Sequence, residues 1–153
     1  MLPRFGDAPI EVAAAVVVFE GKILLARRHE GELAGLWEFP GGKLEPLETS
    51  TDAAERELLE ELNLCVTAHE RLLVLEHQYP TKRVRLHFVR CTPVPGNENL
   101  ARKWHAEQAR WFGPKDPLPS LCPADALAWK QMPWARLFHQ AGAVPPHSPE
   151  RKG

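Results

Sequence analysis

A chain of 153 residues, 44% of them hydrophobic, has the size and composition of one compact domain with a core of its own. A formal net charge of −1 argues against a broad basic surface for duplex nucleic acid and leaves room for a small anionic ligand. The three cysteines, Cys65, Cys91 and Cys122, show no metal-binding or redox spacing, and the longest apolar run, Val12 to Phe19, is too short to span a bilayer and lacks signal-peptide flanks. The expectation is a soluble, unprocessed cytoplasmic protein with reduced thiols and no membrane contact.

Ile10 to Phe19 is rich in valine and reads as a buried strand, with Ile23 to Arg28 as its hairpin partner across Glu20-Gly21-Lys22. A loop containing Gly31 and Gly35 leads to a short extended piece at Leu36 to Phe39, and Pro40-Gly41-Gly42 breaks the chain. A helix is predicted from Thr49 to about Leu62, with Thr49 and Asp52 forming a capping box and Asn63 closing it in the left-handed conformation. Arg71–His77 and Arg83–Cys91 read as strands joined around Tyr79-Pro80-Thr81-Lys82, with Val84, Leu86 and Phe88 sharing a face. A short strand follows at Ala109 to Phe112, then a proline-rich irregular stretch from Gly113 to Pro123. Asp125 would cap a last helix through Lys130, and Pro133 marks a kink or restart. Residues 1–143 form one domain in this reading, and 144–153 a disordered tail. Mixed strands and helices in this order give an α/β or α+β sandwich.

At 100° per residue, Ala54, Leu58 and Leu62 make the core-facing stripe of the predicted helix, and Glu57, Glu60 and Glu61 cluster on a neighbouring arc. Carboxylates at i, i+3 and i+4 repel by roughly 0.2–0.5 kcal/mol per i,i+4 pair, and those in the last turn also oppose the helix dipole. Arg56 offsets part of this through an i,i+4 pair with Glu60; a bound cation would relieve the rest. A solvated acidic face fits the helix alone equally well. The segment before it favours a ligand, because Gly41-Gly42 permits close backbone approach and Glu48 adds a carboxylate. Mg²⁺ takes oxygen ligands and is typically bound by a few carboxylates together with substrate phosphates.

The run Gly42 to Leu64, GKLEPLETSTDAAERELLEELNL, resembles the Nudix hydrolase box. Gly42, Glu48, Arg56, Glu57, Leu58, Glu60, Glu61 and Leu64 occupy their places; Asn63 stands where the family has glycine, and Leu47 where relatives often do. The resemblance implies a Nudix α/β/α sandwich with a mixed central sheet. It implies a hydrolase in which Glu57, Glu60, Glu61 and the Gly41 carbonyl hold Mg²⁺, or Mn²⁺ in its place. Arg56 would orient the glutamates, Glu48 would fix the loop, and the general base would be Glu57 or a loop acid. In MutT-like relatives a further metal-binding glutamate precedes a tryptophan resembling Trp111; here that position is His105, Glu107 lies two residues on, and the resemblance leaves either of them as the further metal ligand, or a weakened metal site.

Leu36 to Pro46, LWEFPGGKLEP, resembles the MutT-like branch of 8-oxo-dGTP diphosphatases and CTP pyrophosphohydrolases. The resemblance implies that Arg28 and Gly42 approach the nucleotide, Phe39 helps to form the base pocket, and Lys82 lies near the base. Asp125 falls where a base-reading asparagine is carried. An ionised aspartate only accepts hydrogen bonds and suits an amino group, whereas a protonated one can also read a lactam purine. The main expectation is a nucleoside triphosphate pyrophosphohydrolase that releases a monophosphate and pyrophosphate. The alternatives are a Nudix hydrolase of ADP-ribose or another nucleoside diphosphate derivative, and a non-catalytic Nudix-like binding module.

Overall fold

In a computed structural model, residues 8–97 and 108–138 are described. The spine is β1 (Ile10–Phe19), whose first part pairs in parallel with β6 (Lys82–Pro93), from Ile10 opposite Val84 to Val17 opposite Cys91. Its end turns antiparallel to β2 (Lys22–Arg27) through Glu20-Gly21, both at positive φ. β2 pairs with β3 (Trp37–Glu38) and with β7 (Ala109–Phe112), while β4 (Gly41–Lys43) pairs with β1 and β5 (Val66–Tyr79) with β6. The main order is β3-β2-β1-β6-β5, a mixed sheet as expected. The hairpin arms β5 and β6 are longer than the sequence suggests, because polar residues on their open face hide the period-2 signal.

Side-chain alternation along β1 builds both cores. Ala13, Ala15 and Val17 face α1 (Ser50–Leu62), packing with Ala53, Ala54, Leu58 and Leu62. Ala14 and Val16 face the other way, towards Ala124, Ala128 and Trp129 of α2 (Pro123–Gln131) and Phe138 of α3 (Trp134–Phe138). The alanines of β1 let α1 approach closely, and burying a side chain such as Leu58 contributes about 1.5–3 kcal/mol. Helices on both faces make the α/β/α sandwich.

The α1 boundaries follow the expected chemistry. The Asp52 N–H donates to Thr49 Oγ1 (3.1 Å), and Asn63 closes the helix at φ 55°. The second helix differs from expectation: it begins at Pro123 with Cys122 in the cap position, and no side chain caps it. Proline suits a first helical turn, where its missing N–H costs nothing, so the start lies three residues earlier than an Asp125 cap requires. Among the described residues no helix is long and apolar enough to cross a membrane. The expected tail lies outside the described residues, as do His105 and Glu107.

Candidate active site

The loop from β4 into α1 is organised by one guanidinium. Arg56 donates from Nε to Glu48 (2.7 Å), from Nη1 to Glu57 and Glu60 (3.1 Å each), and from Nη2 to the Lys43 carbonyl (3.0 Å) and Glu48 (2.9 Å). Glu48 also accepts the Glu45 N–H (2.9 Å), so it ties the loop to itself. The hydrogen bonds from Arg56 and then from the backbone at Glu45 hold the Glu48 carboxyl down to about 2. Glu48 is therefore ionised and engaged in fixing the loop.

Glu57 lies against Gly42: a β-carbon there would meet the Glu57 carboxylate carbon and both oxygens, Oε1 at 2.6 Å. Gly41 has a different reason to be glycine, since its β-carbon would strike the Ala13 carbonyl across the β1–β4 pairing. The two glycines bring the backbone up to the sheet on one side and up to a carboxylate on the other. Glu60 is more exposed than Glu57. Glu61 is solvent-accessible along one edge, yet its carboxyl is pushed up to about 7, by desolvation first and then by Glu57 and Glu38. Charge in this corner is short of a partner. Glu57, Glu60 and Glu61 offer oxygen donors, the kind that a hard divalent cation takes.

A cavity of about 410 Å³ opens between the β2–β3 loop, the β5–β6 turn and α2, with Arg28, Glu38, Tyr79, Lys82, Leu86 and Asp125 on its walls. Three residues expected to meet a nucleotide, Arg28, Lys82 and Asp125, thus converge although they lie on separate elements. Arg28 Nη1 binds Glu38 (3.1 Å), and among the described residues its buried Nε–H has no acceptor. Asp125 is 3% exposed, and its Oδ1 accepts the Phe39 N–H from 86 positions earlier (3.0 Å). Burial, followed by Glu38, pushes its carboxyl up to about 8.

Phe39 itself is not brought to the cavity wall. Its ring is buried between Phe88 (centroids 5.5 Å) and Trp129 (5.9 Å), and what it offers Asp125 is its backbone N–H. An aromatic flanked by the proline and glycines of a chain break packs inward because β4 must lie flat against β1. Glu38 and Tyr79 are among the wall residues that escaped sequence reasoning. Glu38 was legible as a lone charge between two aromatics on a strand. Tyr79, whose hydroxyl lies 3.4 Å from the Ala124 N–H, carried no signal beyond being the chain's one tyrosine.

The NUDIX domain model matches residues 9–135. Over 118 residues the chain is 37% identical to the CTP pyrophosphohydrolase of Escherichia coli, covering 76% of this chain and 85% of that protein. It is 36% identical to the 8-oxo-dGTP diphosphatase of Proteus vulgaris over 85 residues, covering 54% and 76%. Among solved structures, the E. coli ORF135 protein superposes with a TM-score of 0.65 at 34% identity, covering 91% of this chain and 96% of that one. The MutT NUDIX hydrolase of Burkholderia pseudomallei superposes at 0.63 and 26% identity, covering 81% and 98%. With a glutamate helix and glycine loop of this geometry and a family match over most of its length, the chain belongs to the Nudix hydrolase family and is MutT-like.

Proposed function

We propose that the chain hydrolyses a nucleoside triphosphate to the monophosphate and pyrophosphate, its 1–143 region acting as one catalytic domain on the cytoplasmic nucleotide pool. The observation that carries this reading is the adjacency of the charge-deficient glutamate corner to a cavity lined by Arg28, Lys82 and Asp125. Names of relatives, CTP pyrophosphohydrolase and 8-oxo-dGTP diphosphatase, support the substrate class.

Glu57, Glu60, Glu61 and the Gly41 carbonyl would hold the divalent metal that Nudix hydrolases use, Mg²⁺ or Mn²⁺ in its place. When bound, it neutralises phosphate charge and lowers the pKa of water towards neutrality. Arg56 keeps Glu57 and Glu60 aimed. Arg28, with one buried N–H unsatisfied, takes an acceptor oxygen of the nucleotide. Water adds to phosphorus as the bond to the departing pyrophosphate breaks, and a carboxylate, Glu57 or the loop acid Glu107, receives the water's proton. Asp125, protonated at neutral pH, both donates and accepts. It therefore suits a base edge that pairs a donor with an acceptor, as cytosine and the lactam edge of guanine both do.

The test is pyrophosphate release with Mg²⁺ from CTP, dCTP, 5-methyl-dCTP, dGTP and 8-oxo-dGTP, alongside AMP release from ADP-ribose. A preference among the triphosphates, lost by at least about a hundredfold in Glu57→Gln, is the expected result. Activity confined to ADP-ribose, or Glu57→Gln at wild-type rate, would overturn the assignment.

A further inference from the structure

Cys122 has no part in that chemistry, yet it is placed as a ligand would be. It is 1% exposed and in no disulfide. Its Sγ, a Glu38 carboxylate oxygen and an Asp125 carboxylate oxygen all lie within 4.8 Å of one another. The backbone that carries them is stitched together. Trp37 N–H donates to Ser120 O (2.9 Å), Cys122 N–H to Trp37 O (2.8 Å), and Phe39 N–H to Asp125 Oδ1 (3.0 Å). The strand bearing Glu38 and the helix start bearing Cys122 and Asp125 are thus held at a fixed separation.

Three acidic groups in this corner share one bonded cation, Arg28, which is engaged with Glu38. Burial first, and then the neighbouring carboxylates, push the Cys122 thiol up to about 12. Burial likewise raises Glu38, against the pull of Arg28. Burial thus disfavours the charged form of each of the three groups.

We propose that Glu38, Cys122 and Asp125 form a site for a borderline-soft divalent cation such as Zn²⁺ or Cd²⁺, separate from the glutamates of α1. The donor set selects the metal: one sulfur with two oxygens favours zinc or cadmium, whereas the oxygen-only set on α1 favours magnesium. Tetrahedral Zn–O and Zn–S bonds put donors about 3.5 Å apart, so from separations within 4.8 Å the side chains close by about 1.3 Å at most. Glu38 and Asp125 face the cavity, which gives the ion an entry path and leaves its fourth position towards the cavity. The thiol binds as thiolate and Asp125 as carboxylate, and both protons leave to solvent. An ion held there occupies space that the proposed nucleotide needs, so occupancy opposes substrate binding.

The experiment titrates the full chain with Cd²⁺ in excess Mg²⁺, without nucleotide, and follows thiolate-to-cadmium charge-transfer absorption; the result is independent of what the enzyme hydrolyses. One thiolate–cadmium equivalent per chain is expected in the wild type and in Cys65→Ser, none in Cys122→Ser, and at least tenfold weaker binding in Glu38→Gln. Circular dichroism establishes that the variants are folded, and Glu38→Gln, which keeps the thiol, tests the site even if Cys122→Ser does not fold. No band in the wild type, a band that survives Cys122→Ser, or a band indifferent to Glu38→Gln would each overturn the proposal.

Discussion

Gly42→Ala separates catalysis from folding. The backbone at Gly42 is not at positive φ, so alanine fits it without strain. Its methyl, however, would lie 2.6 Å from Glu57 Oε1 and nearer still to the carboxylate carbon. Non-bonded carbon and oxygen settle at about 3.5 Å, so the Glu57 carboxylate must retreat by roughly 1 Å. It cannot do so freely, because Arg56 Nη1 holds it at 3.1 Å and holds Glu60 with the same nitrogen. A displacement of that size in a reacting constellation costs about a hundredfold, or about 2.7 kcal/mol of activation free energy. The assay is steady-state pyrophosphate release across a Mg²⁺ titration, with a thermal melt of the same sample. We expect kcat down about a hundredfold, a weaker Mg²⁺ response and a Tm close to wild type. In Gly41→Ala the methyl meets main chain, the Ala13 carbonyl in the β1–β4 pairing, which cannot swing aside, so Tm itself should fall. Wild-type turnover in Gly42→Ala with an unchanged Mg²⁺ curve would refute the placement of Glu57 in the reacting group.

Arg56→Lys should lower kcat by about tenfold or more with little loss of secondary structure, because an ammonium cannot span Glu48, Glu57, Glu60 and the Lys43 carbonyl at once; unchanged kinetics would refute the clamp. Leu47 sits at φ 69° with its side chain fully exposed, so Leu47→Gly should stabilise by about 0.5–1 kcal/mol and raise Tm by roughly 1–4 °C. A lower Tm would show that Leu47 makes a contact in the folded chain. Asp125 titrates near 3.8 when unfolded and at about 8 when folded, so the native state binds the extra proton between those values. Stability from this group is then fully present at the acid end of that range and is lost as pH rises towards 8. Asp125→Asn, with chelator present, should flatten that slope and gain most over wild type near pH 8; parallel melting curves from pH 5 to 8 would refute it.

Much of the catalytic half was legible in the chain alone, because its determinants are local. Glu57, Glu60 and Glu61 share a face through helical spacing, Thr49 and Asn63 mark the helix ends by their own chemistry, and glycines flag close backbone approach. The cavity half was decided by tertiary structure. Arg28, Lys82 and Asp125 converge only because β1 pairs with both β2 and β6 and α2 packs behind them. Asp125 shows the difference most clearly. Read locally it is a helix cap, since aspartate before an apolar run satisfies free N–H groups; the fold starts the helix at Pro123 and gives its carboxylate to Phe39. Phe39 in turn reads as a pocket aromatic and is taken by the core against Phe88 and Trp129. Spacing within a helix fixes which carboxylates meet, whereas burial and the partners of a long-range hydrogen bond depend on which elements pack together, and no local pattern encodes that.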